Sequence, residues 1–247
     1  MDSSKEEGLN SLNEDDAPIE SNISPIKKFG AELIGTAFLV FVVTGIPIFS
    51  IMDVFNFNRY NGAFEAAFVL ASMIYVFGRI SGAHFNPAVS IPMLLRKKIT
   101  LIECCYYIVA QIIGAFIGSV FVGLCNKGKF KNLAGNTISK NGGWDYFSCF
   151  FIEVILTFGL VFVIFASTVK ENNFGNLTGL IVGITLYFLG ITGSHVSGGS
   201  LNPARSIAPA IIMAFTGDSE PIKDLWLYIV APIIGGIFAG YLSLLFE

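Results

Sequence analysis

Two short stretches of the sequence repeat one another and carry the side chains best suited to bind a small polar solute. They span 81–90 and 197–206, agree at six of ten positions, and each contains Asn-Pro-Ala. Asn86 and Asn202 are good helix N-caps, and the proline after each fits the first helical position, where no N–H is needed. Each stretch therefore predicts the start of a helix with an amide side chain at its tip.

The chemistry predicted at these two tips is hydrogen bonding to a neutral molecule. An asparagine amide can donate to a solute oxygen, while the positive ends of two helix dipoles oppose cations and protons. The segments before the motifs, 81–85 and 197–201, are rich in glycine and small residues. Such segments suit extended backbone that lines a watery path and whose carbonyls accept hydrogen bonds from a passing solute.

The elements that must hold these motifs are membrane-spanning helices. Only 13% of the 247 residues are charged and 53% are hydrophobic, and the mean hydropathy of +0.69 excludes an ordinary water-soluble domain. Two short apolar runs, 86–95 and 202–215, are predicted to be re-entrant half-helices. Six nearly uncharged runs are long enough to cross a bilayer: 29–52, 62–77, 100–124, 146–169, 177–193 and 225–246.

The similarity between the two halves of the chain extends beyond the motifs. Glu32-x-x-x-Thr36 in the first span recurs as Glu153-x-x-x-Thr157 in the fourth. Each half, about 29–124 and about 146–246, holds three spans and one half-helix, and the odd number of spans makes the two halves an inverted repeat. The predicted fold class is therefore an all-α polytopic membrane protein in which the two half-helix tips meet near the bilayer centre.

The ends of the chain are expected on the cytoplasmic side of a plasma membrane or an internal vacuolar membrane. Residues 1–26 hold seven acidic residues against Lys5 alone, which predicts a disordered acidic arm before a channel domain at 27–247. An even number of spans places both ends on one side. Cytoplasmic ends are favoured by the basic pair Lys27–Lys28 and the basic triplet Arg96–Lys98. The four lysines in the connection between the third and fourth spans argue against them.

Several other function classes lack support in the sequence. The four cysteines lack CxxC spacing and predict small buried residues, so no metal or cofactor is expected. A nucleic-acid groove and the motifs of an intramembrane enzyme are missing. A coupled transporter would need a titratable cluster at the midplane, where the motifs offer amides and Arg205. A non-conducting junction protein would keep the same residues as a channel and stays an alternative.

Several features form a recognisable set: the twin Asn-Pro-Ala motifs, Arg205 after the second of them, and Glu32 and Glu153 at the heads of two spans. Through this set the sequence resembles the major intrinsic protein (aquaporin) family from about Phe29 to the chain end. The resemblance implies a passive water channel in the lipid bilayer, assembled as a homotetramer with one pore per subunit and cytoplasmic termini. It also implies that the pore centre is formed by the motif residues Asn86, Pro87, Ala88, Asn202, Pro203 and Ala204.

Members of the family carry a four-residue selectivity filter, which the resemblance assigns to Ala66, Gly190, Gly199 and Arg205. The first three are so small that we expect a wide opening, which would admit glycerol or urea as well as water. The spacing of 116 residues between the two motifs and Ser206 after Arg205 are instead similar to the water-selective branch. A channel used mainly for glycerol or urea is therefore the alternative to a water channel.

Three further residues receive roles from the resemblance. His84 is expected to line the cytoplasmic half of the pore, and a hydrogen-bonded structural histidine is the alternative reading. Glu32 and Glu153 are expected to hold the backbone of the re-entrant segments rather than to relay protons. Pro92 departs from the family pattern within the first half-helix and predicts a kink or a shorter helix there.

Overall fold

In the computed structural model, residues 23–49, 59–131, 133–138, 142–168 and 175–246 are described, and every regular element in these ranges is helical. Two short 3-10 helices are also described: Gly175–Leu177 lies directly before the helix Thr178–Ser194, and Ser243–Phe246 follows the helix Glu220–Leu242. The described ranges contain these α-helices, in chain order: α1 Pro25–Phe49, α2 Arg59–Ser81, α3 Pro87–Leu95, α4 Leu101–Cys125, α5 Tyr146–Thr168, α6 Thr178–Ser194, α7 Pro203–Phe215 and α8 Glu220–Leu242.

Six of these helices, α1, α2, α4, α5, α6 and α8, are long and apolar enough to cross a membrane. The two shorter ones, α3 and α7, begin at the prolines of the motifs, as the caps predict. The all-helical membrane fold predicted from the sequence is thus confirmed. The predicted acidic arm lies outside the described residues except for 23–26, and of these Pro25 and Ile26 already belong to α1.

The two halves of the bundle pack in matching pairs. In the first half α1 packs on α2 and α4, and in the second half α5 packs on α6 and α8. Across the halves, α2 packs on α6, α3 on α8 and α7 on α4. Exchanging each helix with its counterpart leaves this set of contacts unchanged, as expected for an internal repeat whose halves each hold three spans.

Glycines set the closest helix crossings, and they do so twice with the same geometry. A Cβ atom on Gly114 would lie 2.3 Å from the Leu33 carbonyl oxygen, and one on Gly235 would lie 2.3 Å from the Val154 carbonyl oxygen. The second pair follows the first by 121 residues in both helices. Only glycine therefore lets α4 approach α1, and α8 approach α5, at this distance.

The two half-helices differ in length but share their start. α3 has nine residues and α7 has thirteen. Pro92 lies inside α3 without ending it, because the helix continues to Leu95 and Arg96 caps its end. After it, Thr100 and Glu103 form a capping box at the start of α4, and Lys28 pairs with the Glu103 carboxylate at 2.7 Å.

Candidate functional site

Two buried carboxylates hold the re-entrant segments in place. Glu153 accepts hydrogen bonds from the Ser197 hydroxyl at 2.6 Å and from the main-chain N–H groups of Ser200 and Leu201 at 2.8 and 2.9 Å. In the first half, Glu32 accepts from the Ser81 hydroxyl and from the N–H groups of His84 and Phe85 at 2.7 to 2.9 Å. Burying a charge is tolerable only with such partners, and here they orient the backbone carbonyls of both segments away from the carboxylates.

One tyrosine in each half fixes the start of a re-entrant segment, and sequence reasoning missed this role. The Tyr107 hydroxyl donates to the Ser81 carbonyl at 2.6 Å, and the Tyr228 hydroxyl donates to the Ser197 carbonyl at 2.7 Å. Both tyrosines are buried, and they are 121 residues apart. The same offset relates Glu32 to Glu153, so the repeat itself carried the signal.

The two motif asparagines join the halves of the molecule. The Asn86 amide nitrogen donates to the Leu201 carbonyl at 2.8 Å, and the Asn202 amide nitrogen donates to the Phe85 carbonyl at 2.9 Å. Their Oδ1 atoms accept from the first turns of α3 and α7. An amide nitrogen has two N–H donors, so one donor of each asparagine is left over among the contacts of the described residues.

These asparagines lie in a cavity of about 580 Å³ between the two halves. Apolar side chains of the spanning helices, Leu39, Val43, Leu160, Val182 and Leu186 among them, form much of its wall. The remaining motif residues, Pro87, Ala88, Pro203 and Ala204, are buried in the first turns of the half-helices and do not line it. His84 and the residues Ala66, Gly190, Gly199 and Arg205 also line this cavity, so all the sequence-assigned filter positions lie on one space.

Backbone and methyl groups form most of the predicted filter. A Cβ atom on Gly190 would lie 3.3 Å from the Ala63 Cβ, so α6 and α2 approach each other closely here. Gly199 has a φ of +59°, a conformation that favours glycine, and a Cβ on it would lie 3.3 Å from the Gly190 carbonyl oxygen. Ala66 contributes a methyl group from α2. Arg205 is thus the one long side chain among the four positions.

Neutral oxygens hold the Arg205 guanidinium. Its Nη1 donates to the Ala134 carbonyl at 3.0 Å and to the side-chain oxygen of Asn136. The same Asn136 oxygen accepts from the Ser206 hydroxyl at 2.9 Å. Asn136 carries no signal in the sequence, because the long connection between the halves has no counterpart in the repeat.

A third buried carboxylate, in α8 of the second half, anchors this connection. Asp224 in α8 is 2% exposed and accepts from the Ile138 N–H at 3.0 Å and from the Tyr146 hydroxyl at 2.8 Å. At the other end, Leu133 is buried against Val122 and Met213. Residues 133–138 therefore form a strap, fixed at both ends, that carries the acceptors of Arg205.

The cysteines provide no sign of a metal centre. Cys104 and Cys149 are buried, Cys105 and Cys125 are exposed, and none of the four is in a disulfide. No group of three or more potential metal ligands occurs in the described ranges.

Comparison with known proteins identifies the architecture. The family model described as major intrinsic protein matches residues 20–243. The chain belongs to the major intrinsic protein family. Among its relatives, the glycerol uptake facilitator protein-like 6 of Lactiplantibacillus plantarum is 39% identical over 87% of this chain and 96% of its own length. Nodulin-26 of Glycine max is 34% identical over 87% of this chain and 76% of its own length.

A solved structure shares the fold. The aquaglyceroporin from Plasmodium falciparum aligns with a TM-score of 0.80 at 24% identity, over 89% of this chain and 96% of that chain. As a member of the major intrinsic protein family, the chain is a multi-pass membrane channel and not an enzyme. The relatives are named both as aquaporins and as a glycerol facilitator, so membership of the major intrinsic protein family does not by itself choose between these permeants.

Proposed function

We propose that the protein is a passive channel for water that also admits small uncharged solutes of about the size of glycerol or urea and rejects ions and protons. The observation that carries this proposal is that Ala66, Gly190, Gly199 and Arg205, the positions assigned to the filter, all line one cavity. Two glycines and an alanine leave the width of the passage to the backbone, while Arg205 supplies donors for a solute oxygen.

Exclusion of ions follows from the charges along the cavity. Arg205 is held by neutral acceptors, so its positive charge is not cancelled by a direct carboxylate partner among its hydrogen bonds. The tips of α3 and α7 add two positive dipole ends beside Asn86 and Asn202. A cation that leaves water would meet these charges without compensation, whereas a neutral solute would exchange hydrogen bonds with amides and carbonyls.

A primary role in glycerol or urea transport is the second candidate, and the small filter favours it. The relative of Lactiplantibacillus plantarum that bears the name of a glycerol facilitator also supports it. A coupled transporter has less support, because no carboxylate lines the cavity within the described ranges and its only titratable lining residues there are His84 and Arg205. A non-conducting junction protein is disfavoured by a cavity of this volume.

The setting of the channel belongs to the proposal as well. Large apolar side chains cover the outside of the spanning helices, among them Phe38, Phe68, Phe147 and Phe238. This surface suits contact with lipid and with neighbouring subunits, so a homotetramer with one pore per subunit fits it. We place both chain ends in the cytoplasm and the protein in a plasma or vacuolar membrane.

Stopped-flow swelling and shrinking of proteoliposomes tests the proposal. Vesicles with the purified protein would be exposed to sucrose, glycerol and urea gradients, with protein-free vesicles of the same lipid as the control. Water permeability well above the control, together with faster uptake of glycerol or urea, is the expected result. Solute uptake without a gain in water permeability would favour the facilitator, and equality with the control on all three gradients would overturn the channel proposal.

A further inference from the structure

A buried set of polar side chains lies behind the part of the cavity that His84 lines, which we call its inner end. The Gln111 amide nitrogen donates to the Glu32 carboxylate at 2.8 Å and to the Ser90 hydroxyl oxygen at 3.0 Å. The same hydroxyl oxygen lies 3.0 Å from the Nδ1 atom of His84. His84 lines the cavity, so this chain of contacts joins the pore wall to the buried carboxylate.

Counting protons fixes the direction of each of these hydrogen bonds. An amide nitrogen only donates, and both N–H groups of Gln111 are used, one toward Glu32 and one toward Ser90. Turning the amide over would place its oxygen against the Glu32 carboxylate, which already accepts from Ser81, His84 and Phe85. The Ser90 oxygen therefore accepts from Gln111, and its single O–H remains to be donated.

Among the described residues, the acceptor within reach of the Ser90 O–H is His84 Nδ1. If Nδ1 carried a proton instead, Ser90 would face two donors, and its own hydrogen would be buried without an acceptor, which costs about 1 to 3 kcal/mol. A neutral imidazole has one proton, so that proton is on Nε2. The Nε2 atom lies on the side of exposed Gly82, since a Cβ atom there would be 3.3 Å from it.

We propose that Ser90 and Gln111 act as positioning residues that hold His84 as the neutral Nε2–H tautomer, so that the ring presents one fixed N–H donor at the inner end of the cavity. The same arrangement prevents a proton relay through the ring. A relay would have to pass from Nδ1 through Ser90 to Gln111, and an amide N–H neither accepts nor passes on a proton. The consequence for transport rests on the proposed function, whereas the tautomer does not.

The second half of the molecule shows that the amide sets the direction. Ser200 and Ser206 occupy the positions equivalent to His84 and Ser90, 116 residues later, and their hydroxyls are hydrogen-bonded to each other. There the outside partner is Asn136, whose oxygen accepts from Ser206. Where the outside amide accepts, the motif serine points away from the segment; where it donates, as Gln111 does, the serine points toward His84.

Nitrogen and carbon NMR of the full chain, labelled at histidine and reconstituted in lipid bilayers, tests the tautomer. The chain has two histidines, so a His195→Gln variant assigns the signals. We expect one protonated and one unprotonated ring nitrogen for His84 at neutral pH, with the proton on Nε2. Ser90→Ala should give a mixture of tautomers, and Ser90→Thr, which keeps the hydroxyl, should restore the single form.

Gln111→Leu provides a second route to the same answer, because it leaves the Ser90 hydroxyl but removes the donor that directs it. A mixture of tautomers is expected there too, with the His195 signals unchanged. A proton on Nδ1, or a doubly protonated ring at neutral pH in the unmodified protein, would overturn the inference, as would an unchanged His84 signal in both variants. Swelling assays on the same vesicles keep the two proposals apart, since a non-conducting protein with the expected tautomer would refute the channel alone.

Discussion

The charged residues at membrane depth are compensated in two different ways, and the difference assigns their roles. Glu32 and Glu153 are surrounded by hydroxyl and main-chain donors that belong to the re-entrant segments. Their carboxylates accept the hydrogen bonds that hold the backbone of the re-entrant segments in place. Arg205 instead donates to neutral oxygens of the strap, so its charge still acts on the cavity. This contrast makes Arg205 the residue on which exclusion of cations should depend.

Replacing Arg205 with alanine should raise the permeability to small cations relative to water. Two unit charges about 5 Å apart repel by about 3 kcal/mol at an effective dielectric constant of about 20, which corresponds to about 100-fold in passage. The measurement is cation flux into dye-loaded proteoliposomes. Arg79→Ala is the matched control, since Arg79 is exposed at the end of α2 and does not line the cavity. Equal cation flux in the two variants would argue against a filter at Arg205.

Enlarging Ala66 to phenylalanine should reduce glycerol uptake at least tenfold and water permeability much less. The ring would enter the cavity that Gly190 and Gly199 also line, and neither glycine has a side chain that could move aside. Stopped-flow light scattering gives both permeabilities on one preparation. Val76→Phe adds a ring to an exposed face of the same helix and should change neither. Loss of both permeabilities in equal proportion would place Ala66 away from the constriction.

Residues that recur at a fixed offset could be predicted from the repeat, whereas the non-recurring His84 and Arg205 received their roles from the family resemblance. The two asparagine caps and the two glutamates are repeated, so their spacing and chemistry pointed to them. Gln111 has Pro232 at its equivalent position, and Asn136 lies in a connection without a counterpart. Both are ordinary amides in sequence, and only the folded chain shows that each completes a hydrogen bond of a motif serine.

At the scale of elements, the strap at 133–138 depends on an anchor far from the pore. Asp224→Ala should lower the stability by about 2 to 4 kcal/mol, because the Ile138 N–H and the Tyr146 hydroxyl lose a buried acceptor. It should also weaken discrimination between solutes, since Arg205 would lose its fixed partners. Tyr146→Phe removes one of the two hydrogen bonds and should cost about 1 kcal/mol. Thermal unfolding in detergent and swelling assays would check the two effects, and solute discrimination retained in Asp224→Ala would separate the strap from the filter.

Close helix crossings should respond to a single methyl group. Gly114→Ala would place a Cβ atom 2.3 Å from the Leu33 carbonyl oxygen, so α1 and α4 must separate at a cost of about 1 to 3 kcal/mol. Gly30→Ala, on α1 with no atom within 4 Å of the added carbon, should instead stabilise the helix by about 0.5 to 1 kcal/mol. Opposite shifts in the midpoint of thermal unfolding are expected, and shifts of the same sign would contradict the packing account.

The helices themselves were predicted well from hydropathy, and the errors lie where polar residues enter a helix. α8 begins at Glu220, five residues before the apolar run that predicts it, because its first turns contain Glu220, Lys223 and Asp224. Asp224 is acceptable there since it is buried with two donors. A window that scores hydrophobicity cannot distinguish such a partnered charge from a solvated one.

At the scale of the whole molecule, each half has an odd number of spans, so the same set of structural features occurs twice in opposite orientations. Each half supplies a glutamate, a tyrosine, an asparagine tip and a glycine crossing, and the tips exchange hydrogen bonds between Asn86 and Leu201 and between Asn202 and Phe85. The cavity lies between the halves because neither can close it alone. Two features that do not recur, the strap and Gln111, then make the two ends of the cavity different.

The orientation of the whole bundle is the part that charge alone hardly decides, because cytoplasmic ends would place eight of the 15 basic residues inside and seven outside. Cys125 ends α4 and is exposed, after the third crossing, so it should face the outside if the chain ends are cytoplasmic. A membrane-impermeant maleimide added to intact cells should therefore label the native chain, and Cys125→Ser should abolish the labelling.

Asn176 tests the opposite side of the membrane, since it is exposed in the connection between α5 and α6, after the fourth crossing. Cys105 is exposed as well, so in a background that carries both Cys105→Ser and Cys125→Ser, Asn176→Cys should react only after the cells are permeabilised. Asn176 in the native chain should carry no glycan. The reverse pattern at both sites would invert the bundle and place Arg205 on the cytoplasmic side of the asparagine tips. A passive barrier opposes cations from either side, so rejection of cations should be the same in both orientations, and the labelling experiment decides the orientation alone.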